Sequence, residues 1–278
     1  MVNTIQLAGA AWSWGDATIA ESAAIYRALG VDAIDLIAIP GKSLDPYRIA
    51  ADPTGQAAVV DGLGVELISN LLLFFGVDFH DRALNSADPA VRRKNLDLFL
   101  RVLEFCATVN CYSVTVLPGV EQTGHTRAAS LEWAAAELHR MNELAKSAGV
   151  LLVYEPHVES ILEDPDETLL FVQTNPDIKL VIDYSHGVSL GHSTSKLSQL
   201  VPYAGHVHLR QACHGKIQAR WEEGTIDFPA LIGLLHDTDY RGYVALEYEH
   251  DPFWNMDQCD VMTETIKMRD AVRPHLYR

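Results

Sequence analysis

Short apolar runs that alternate with amphipathic stretches along the whole chain, a length of 278 residues and the lack of a GxGxxG turn after any apolar run predict a (β/α)8 TIM barrel. Such barrels reach about 250 residues as one unit. Residues 1–278 are therefore expected to form a single domain, with a doubly wound open sheet as the runner-up.

The elements follow in order. IQLAGAA (5–11) reads as the first strand, and TIAESAAIYRALG as a helix in which Thr18 and Glu21 fit a capping box and Gly30 a stop. VDAIDLIAI (31–39) is the second strand. PYRIAADPTGQAAVVDGLG is helical with a break at Pro53, VELISNLLLFF (65–75) is the third strand, and DPAVRRKNLDLFLRVLEFCATV is a long helix with Pro89 in its first turn. YSVTVLP (112–118) is the fourth strand, SLEWAAAELHRMNELAKSAG a helix stopped by Gly149, and VLLVYEPH (150–157) the fifth strand. DPDETLLFVQTN is helical. IKLVIDYSH (178–186), HVHLRQA (206–212) and YVALEYEH (243–250) are the last three strands, separated by helical STSKLSQLV and DFPALIGLLHD and followed by a helix over DQCDVMTETIKMRDAVR.

Composition narrows the classes. Hydrophobic residues at 48% and charged residues at 21% allow a core that needs no disulfides, and Cys106, Cys111, Cys213 and Cys259 form no CxxC pair. No apolar run reaches the ~20 residues of a membrane span, and the first residues lack a basic n-region, so a cytoplasmic location is expected. A formal net charge of -16 opposes phosphate backbones. The expected partner is a small-molecule carbohydrate, with neither nucleic acid nor membrane.

In this fold the functional side chains stand at the C-terminal ends of the strands. The last four strands end in VYEPH (Glu155, His157), IDYSH (Asp183, His186), HVHLRQ (His206, His208) and ALEYEH (Glu247, Glu249, His250). Carboxylates crowded into one barrel mouth raise each other's pKa unless a cation lies between them. A divalent metal meets that need, and oxygen-rich ligation with one imidazole favours Mn2+, with Mg2+ or Co2+ as alternatives. We nominate Glu155, Asp183, His208 and Glu247 as ligands. Alternation puts His206 on the same face as His208 and leaves open which of them meets the ion. Glu249 is the rival to Glu247, and Asp183 has a competing role as a helix N-cap.

A metal that grips a carbonyl and a neighbouring hydroxyl acidifies the carbon-bound proton between them and stabilises the enediolate left behind. Return of the proton gives epimerisation or isomerisation, and loss of a β-substituent gives elimination. Aromatic residues follow several strands: Trp12, Trp14, Phe74, Phe75, Trp221, Phe253 and Trp254. Trp12 and Trp14, alternating about Ser13, are the preferred walls for a sugar, with core packing as the rival role. The acidic EYEHDPFW after the last strand favours an unphosphorylated sugar, and Lys216 and Arg220 are the residues that would serve a phosphate.

EPH, DYSH, HVHLRQ and ALEYEH, each one barrel unit apart, resemble the xylose isomerase-like barrel superfamily of sugar isomerases and epimerases. The resemblance covers nearly the whole chain and is most specific from Glu155 to His250. It implies metal ligation by Glu155, Asp183, His208 and Glu247, proton transfer by Glu155 and Glu247, and contacts to substrate hydroxyls from His186. His157 is placed beside them, and Arg220 resembles an arginine that reaches the substrate from the loop after strand seven. Within RWEEGTIDFPALIGLL, Glu222 stands where the family usually carries the first glycine of a Gly-x-Gly, so that loop is expected to depart from the family's shape. The resemblance also allows a homo-oligomer, dimers being common there.

The expected activity is a metal-dependent sugar isomerase or epimerase. The alternative is a metal-dependent lyase or dehydratase on a 3-keto sugar, 3-keto glycoside or inosose. The remote alternative is a barrel that binds sugar without turnover. Apurinic endonucleases of the same superfamily need further ligands on the middle strands, whereas VTVLPG offers none and His206 stands where an acid is required.

Overall fold

The computed structural model describes residues 4–64 and 67–277. Its strands are β1 (Gln6–Ala10), β2 (Ala33–Ala38), β3 (Leu67–Leu73), β4 (Ser113–Val116), β5 (Leu151–Tyr154), β6 (Lys179–Asp183), β7 (Ala204–Leu209) and β8 (Tyr243–Leu246). All pair in parallel with their sequence neighbours, and β8 returns to β1, so the sheet closes as the expected barrel. The helices are α1 (Ile19–Ala28), α2 (Pro46–Ala51), α3 (Pro53–Asp61), α4 (Pro89–Thr108), α5 (Arg127–Ala148), α6 (Pro165–Thr174), α7 (Tyr184–Ser189), α8 (Thr194–Leu197), α9 (Phe228–Asp237) and α10 (Val261–Val272).

Local chemistry sets several boundaries. Thr18 and Glu21 form the reciprocal capping box that starts α1, and Asp52 caps α3 where Pro53 interrupts the preceding helix. Gly149 ends α5 at φ 72°, a left-handed conformation that costs a residue with a Cβ. Residues 65 and 66, assigned to the third strand, lie outside the described residues. Two other expectations need correction. The stretch 193–201 is helical only at α8 and then tightens into a 3-10 turn over Ser198–Tyr203, where Pro202 has no N–H to donate. The final helix begins at Val261, because Phe253–Gln258 form a 3-10 turn instead.

The alternation of the strands decides what the barrel presents. Leu36, Leu71, Val114, Leu152, Val207 and Leu246 pack outward into one core with helix residues such as Phe99, Leu103 and Met141. The opposite parity points inward and mixes apolar with polar side chains: Ala8, Ala33 and Ala245 cluster there, and Asn70 Oδ1 accepts from Ser113 Oγ and Thr115 Oγ1, both at 2.9 Å. Val153 and Glu155, Val181 and Asp183, His206 and His208, and Ala245 and Glu247 share that inward parity. The carboxylates thus stand where the inward rows reach the rim.

Candidate metal centre and cavity

Glu155 and Glu247 are the first residues past their strands, each still tied to the sheet. The Glu155 amide donates to the Val116 carbonyl at 3.2 Å, and that of Glu247 to the Leu209 carbonyl at 3.0 Å. Asp183 and His208 are register partners on β6 and β7. One ligand atom from each of these four residues lies within 4.8 Å of every other. All four are buried.

Asp183 answers to both readings of its role. Its Oδ1 accepts from the Ser185 amide at 2.8 Å and starts α7, so β6 ends three residues earlier than expected, while Oδ2 faces the cluster. His208 Nδ1 lies 2.9 Å from Glu155 Oε1 and 3.3 Å from Glu247 Oε2. Its Nε2 faces the other way, 3.4 Å from Asp35 Oδ2. His206 Nε2 contacts that same Asp35 oxygen at 2.6 Å, deeper in the barrel and outside the carboxylate group. Of the two imidazoles on one face, His208 is therefore the one beside Glu155 and Glu247.

Arg210, two residues past His208 on the same parity, went unremarked in the sequence and is a buried cation in the cluster. Its guanidinium donates to Asp183 Oδ2 at 2.9 Å, to Glu249 Oε1 at 2.7 Å and to Ser185 Oγ at 3.1 Å, and Glu247 Oε2 lies 3.5 Å away. Glu249, the rival ligand, is thus committed to Arg210. The signal for Arg210 was the i, i+2, i+4 row of His206, His208 and Arg210.

Arg210 supplies part of the positive charge that the sequence argument assigned wholly to a metal, so the fit of an ion needs its own test. Two carboxylates about 4 Å apart repel by about 4 kcal/mol at an effective dielectric near 20. Glu155, Asp183, Glu247 and Glu249 share one permanent cation. Burial disfavours the His208 imidazolium, yet Glu247 and Glu155 outweigh it and hold the His208 pKa well above its usual range. Burial likewise pushes Glu155 up, but His208 wins and leaves it at about 2. Glu247 goes the other way: burial outweighs His208 and Arg210 and raises it well above the carboxylate range. Glu247 Oε2 is buried with no hydrogen-bond partner, an unsatisfied acceptor facing the other three ligands. A divalent ion fits this donor set, since it satisfies that oxygen and replaces the proton on His208.

Above the cluster opens a cavity of about 480 Å3, with Glu155, Glu247, Glu249 and Arg210 at its floor. His157 and His186 line it as expected. The Val158 amide donates to His186 Nδ1 at 3.2 Å, so the proton of His186 sits on Nε2, 3.5 Å from Asp183 Oδ2. His157 Nδ1 faces the Val158 carbonyl at 2.6 Å, and its buried Nε2 has no partner. Trp12 lines the cavity edge-on to His208, with ring centroids 6.1 Å apart.

Trp14 does not join it. The strand stops at Ala10 and residues 11–16 are turn, so period-two alternation ends, and Trp14 packs 5.3 Å from Tyr26. Arg220 is also elsewhere: it is exposed and outside the cavity wall, because the neighbouring Ala219 amide and carbonyl are held by Gln211 and Tyr248 and the Trp221 amide by Glu264. Lys216 pairs with Glu223 at 3.1 Å. Phe74, Phe253 and Trp254 line the cavity, whereas Phe75 is in the core and Trp221 stacks on Phe228. Phe79, from the loop after β3, is a further wall that the sequence reading missed. Glu222, at the departure from the family pattern, is ion-paired with Lys267 at 2.8 Å.

The model of the xylose isomerase-like TIM barrel family matches residues 23–271. The chain belongs to that family. Among curated relatives, the inosose dehydratase of Geobacillus kaustophilus is 26% identical over 237 residues, covering 72% of this chain and 73% of its own. Among solved structures, D-psicose 3-epimerase from Clostridium cellulolyticum H10, solved with D-tagatose, aligns over 98% of this chain and 100% of its own at TM-score 0.76 and 18% identity. The IOLI protein, solved with a bound zinc atom, aligns over 98% and 100% at TM-score 0.73 and 15% identity. At these identities the structures share the fold. No helix among the described residues is long and apolar enough to cross a membrane.

Proposed function

We propose that the chain is a divalent-metal-dependent sugar isomerase or epimerase that moves a proton on the carbon next to a carbonyl. The observation that carries this reading is the convergence of Glu155, Asp183, His208 and Glu247, one from each of four consecutive strands, on a single point at the floor of a cavity. Those four residues would hold the ion, with Mn2+ as the first candidate. A bound divalent ion supplies Lewis acidity towards a substrate carbonyl and its neighbouring hydroxyl.

The remaining work falls to the side chains. Glu155 and Glu247 approach from β5 and β8, so one removes the carbon-bound proton and the other delivers a proton from its own side. His186, oriented by the Val158 amide, donates from Nε2, and the unpartnered Nε2 of His157 is free to bind a second hydroxyl. Trp12 closes one wall and keeps water from the proton in transit.

The relationship to an inosose dehydratase favours a second reading, elimination at the same centre. There Glu155 or Glu247 takes the proton beside the carbonyl, the other protonates the hydroxyl on the next carbon, and water leaves.

The deciding experiment is NMR of the Mn2+-loaded protein in D2O with a panel of keto-sugars, inososes and 3-keto glycosides. Deuterium uptake with every substituent retained supports the isomerase or epimerase, and uptake coupled to loss of water supports the dehydratase. Glu155→Gln and Glu247→Gln should each cut the rate by about 10^2 to 10^4. Full turnover in either variant would refute the assignment.

A further inference from the structure

The cavity of about 480 Å3 extends outward from the carboxylates into an apolar part. Its floor is polar. Its outer part is walled by Phe74, Val77, Phe79, Phe253 and Trp254, with Lys42, Asp78 and Asp251 as charged residues beside them.

Two independent features mark this outer part as built for a ligand. Val77 and Phe253 are 66% and 51% exposed, and both lie on the wall of this cavity. Trp254 and Asn255 both adopt left-handed backbone, at φ 54° and 58°, although neither is glycine. Successive residues of this kind cluster where a side chain must be held in place for function. Here they hold the Trp254 indole 6.0 Å from His186, 6.4 Å from Phe79 and 4.4 Å from Phe253, between the polar floor and the apolar rim.

We propose that the substrate is a sugar derivative with a flat apolar substituent, an aryl glycoside in type, whose ring lies among Phe79, Phe253 and Trp254 while the sugar reaches His157, His186 and the carboxylates. This rests on reading the floor as a metal and sugar site. The rings offer edges and faces to an aromatic group, and a bare sugar would leave them wet. Specificity for the apolar group then comes from the loop after β3 and the turn after β8, while the chemistry stays at the strand ends.

The test is calorimetric titration of the Mn2+-loaded protein with matched methyl and phenyl glucosides, both anomers, together with their C3 ketones. A phenyl member should bind at least about tenfold tighter than its methyl counterpart, the factor that burial of one ring gives. Phe253→Ala, at an exposed position that spares the fold, and Trp254→Ala should bring that ratio close to one. Equal affinity within every pair, in protein that holds one Mn2+ per chain, overturns the aryl subsite and leaves the metal reading standing. Absence of Mn2+ binding in wild-type protein would instead be a failure of the underlying reading, and both then fall.

Discussion

His208 divides its two ring nitrogens between two tasks. Nδ1 faces Glu155 and Glu247, and Nε2 faces the buried Asp35 carboxylate. A carboxylate behind a metal-bound imidazole fixes its tautomer and raises its basicity. Asp35 is itself clamped by Ser69 Oγ and by His206, 171 positions away in sequence, so the backing group cannot drift. Asp35→Asn should therefore weaken Mn2+ affinity by about 10- to 100-fold while the barrel still folds, as read by calorimetric titration beside a thermal melt. Unchanged affinity would mean that Asp35 serves only the polar packing of the barrel interior. No spacing rule pairs Asp35 with His206 or His208, because a contact across a closed barrel leaves no local trace in sequence. Arg210 differs: the row of His206, His208 and Arg210 carried the signal and went unread.

β1 and α1 show how closely an element fits its neighbours. A Cβ at Gly9 would sit 2.2 Å from the Tyr26 ring, so the absent side chain lets α1 press its tyrosine onto the strand. From there Tyr26 Oη donates to the Leu246 carbonyl at 3.1 Å, with Ser13 Oγ at 2.9 Å, and ties α1 to the strand that bears Glu247. Gly9→Ala should destabilise the fold by about 1–3 kcal/mol through overpacking, measured by urea unfolding. The double variant with Tyr26→Leu should lose less than the sum of the two singles, since the clash goes with the ring. Additive losses would show that the helix simply rides outward. The strands themselves were legible as apolar runs, and α1 and α5 as periodic stretches with a capping box and Gly149. Strand ends were less so. Asp183 turns β6 into α7 through its own carboxylate, and the turn after Ala10 sends Trp12 to the cavity and Trp14 to the core, where alternation had put them together.

At the scale of the whole molecule, the order of strand and helix forecast a closed barrel because each parallel crossover leaves its neighbour one possible place, and a closed sheet has no edge to misplace. Closure also ties the proposed metal centre to global stability. The proposed ligands come from β5 to β8, and their shared point exists only while those four strands hold their register. An ion that binds the folded chain alone stabilises it by about 2.7 kcal/mol at a hundredfold excess over Kd, and for a chain somewhat longer than 250 residues that moves Tm by roughly 5 °C. The net charge of -16 works in the same direction, drawing cations to the chain and adding self-repulsion that a bound cation relieves. Chelation should therefore lower Tm by that amount and Mn2+ restore it, with Mg2+ compared alongside. Asp183→Asn or Glu247→Gln should abolish the shift, whereas Glu222→Gln, which removes surface charge far from the ligands, should keep it. A shift that persists in both ligand variants would place the responsible ion elsewhere on the acidic surface, and the four strand ends would lose their claim to it.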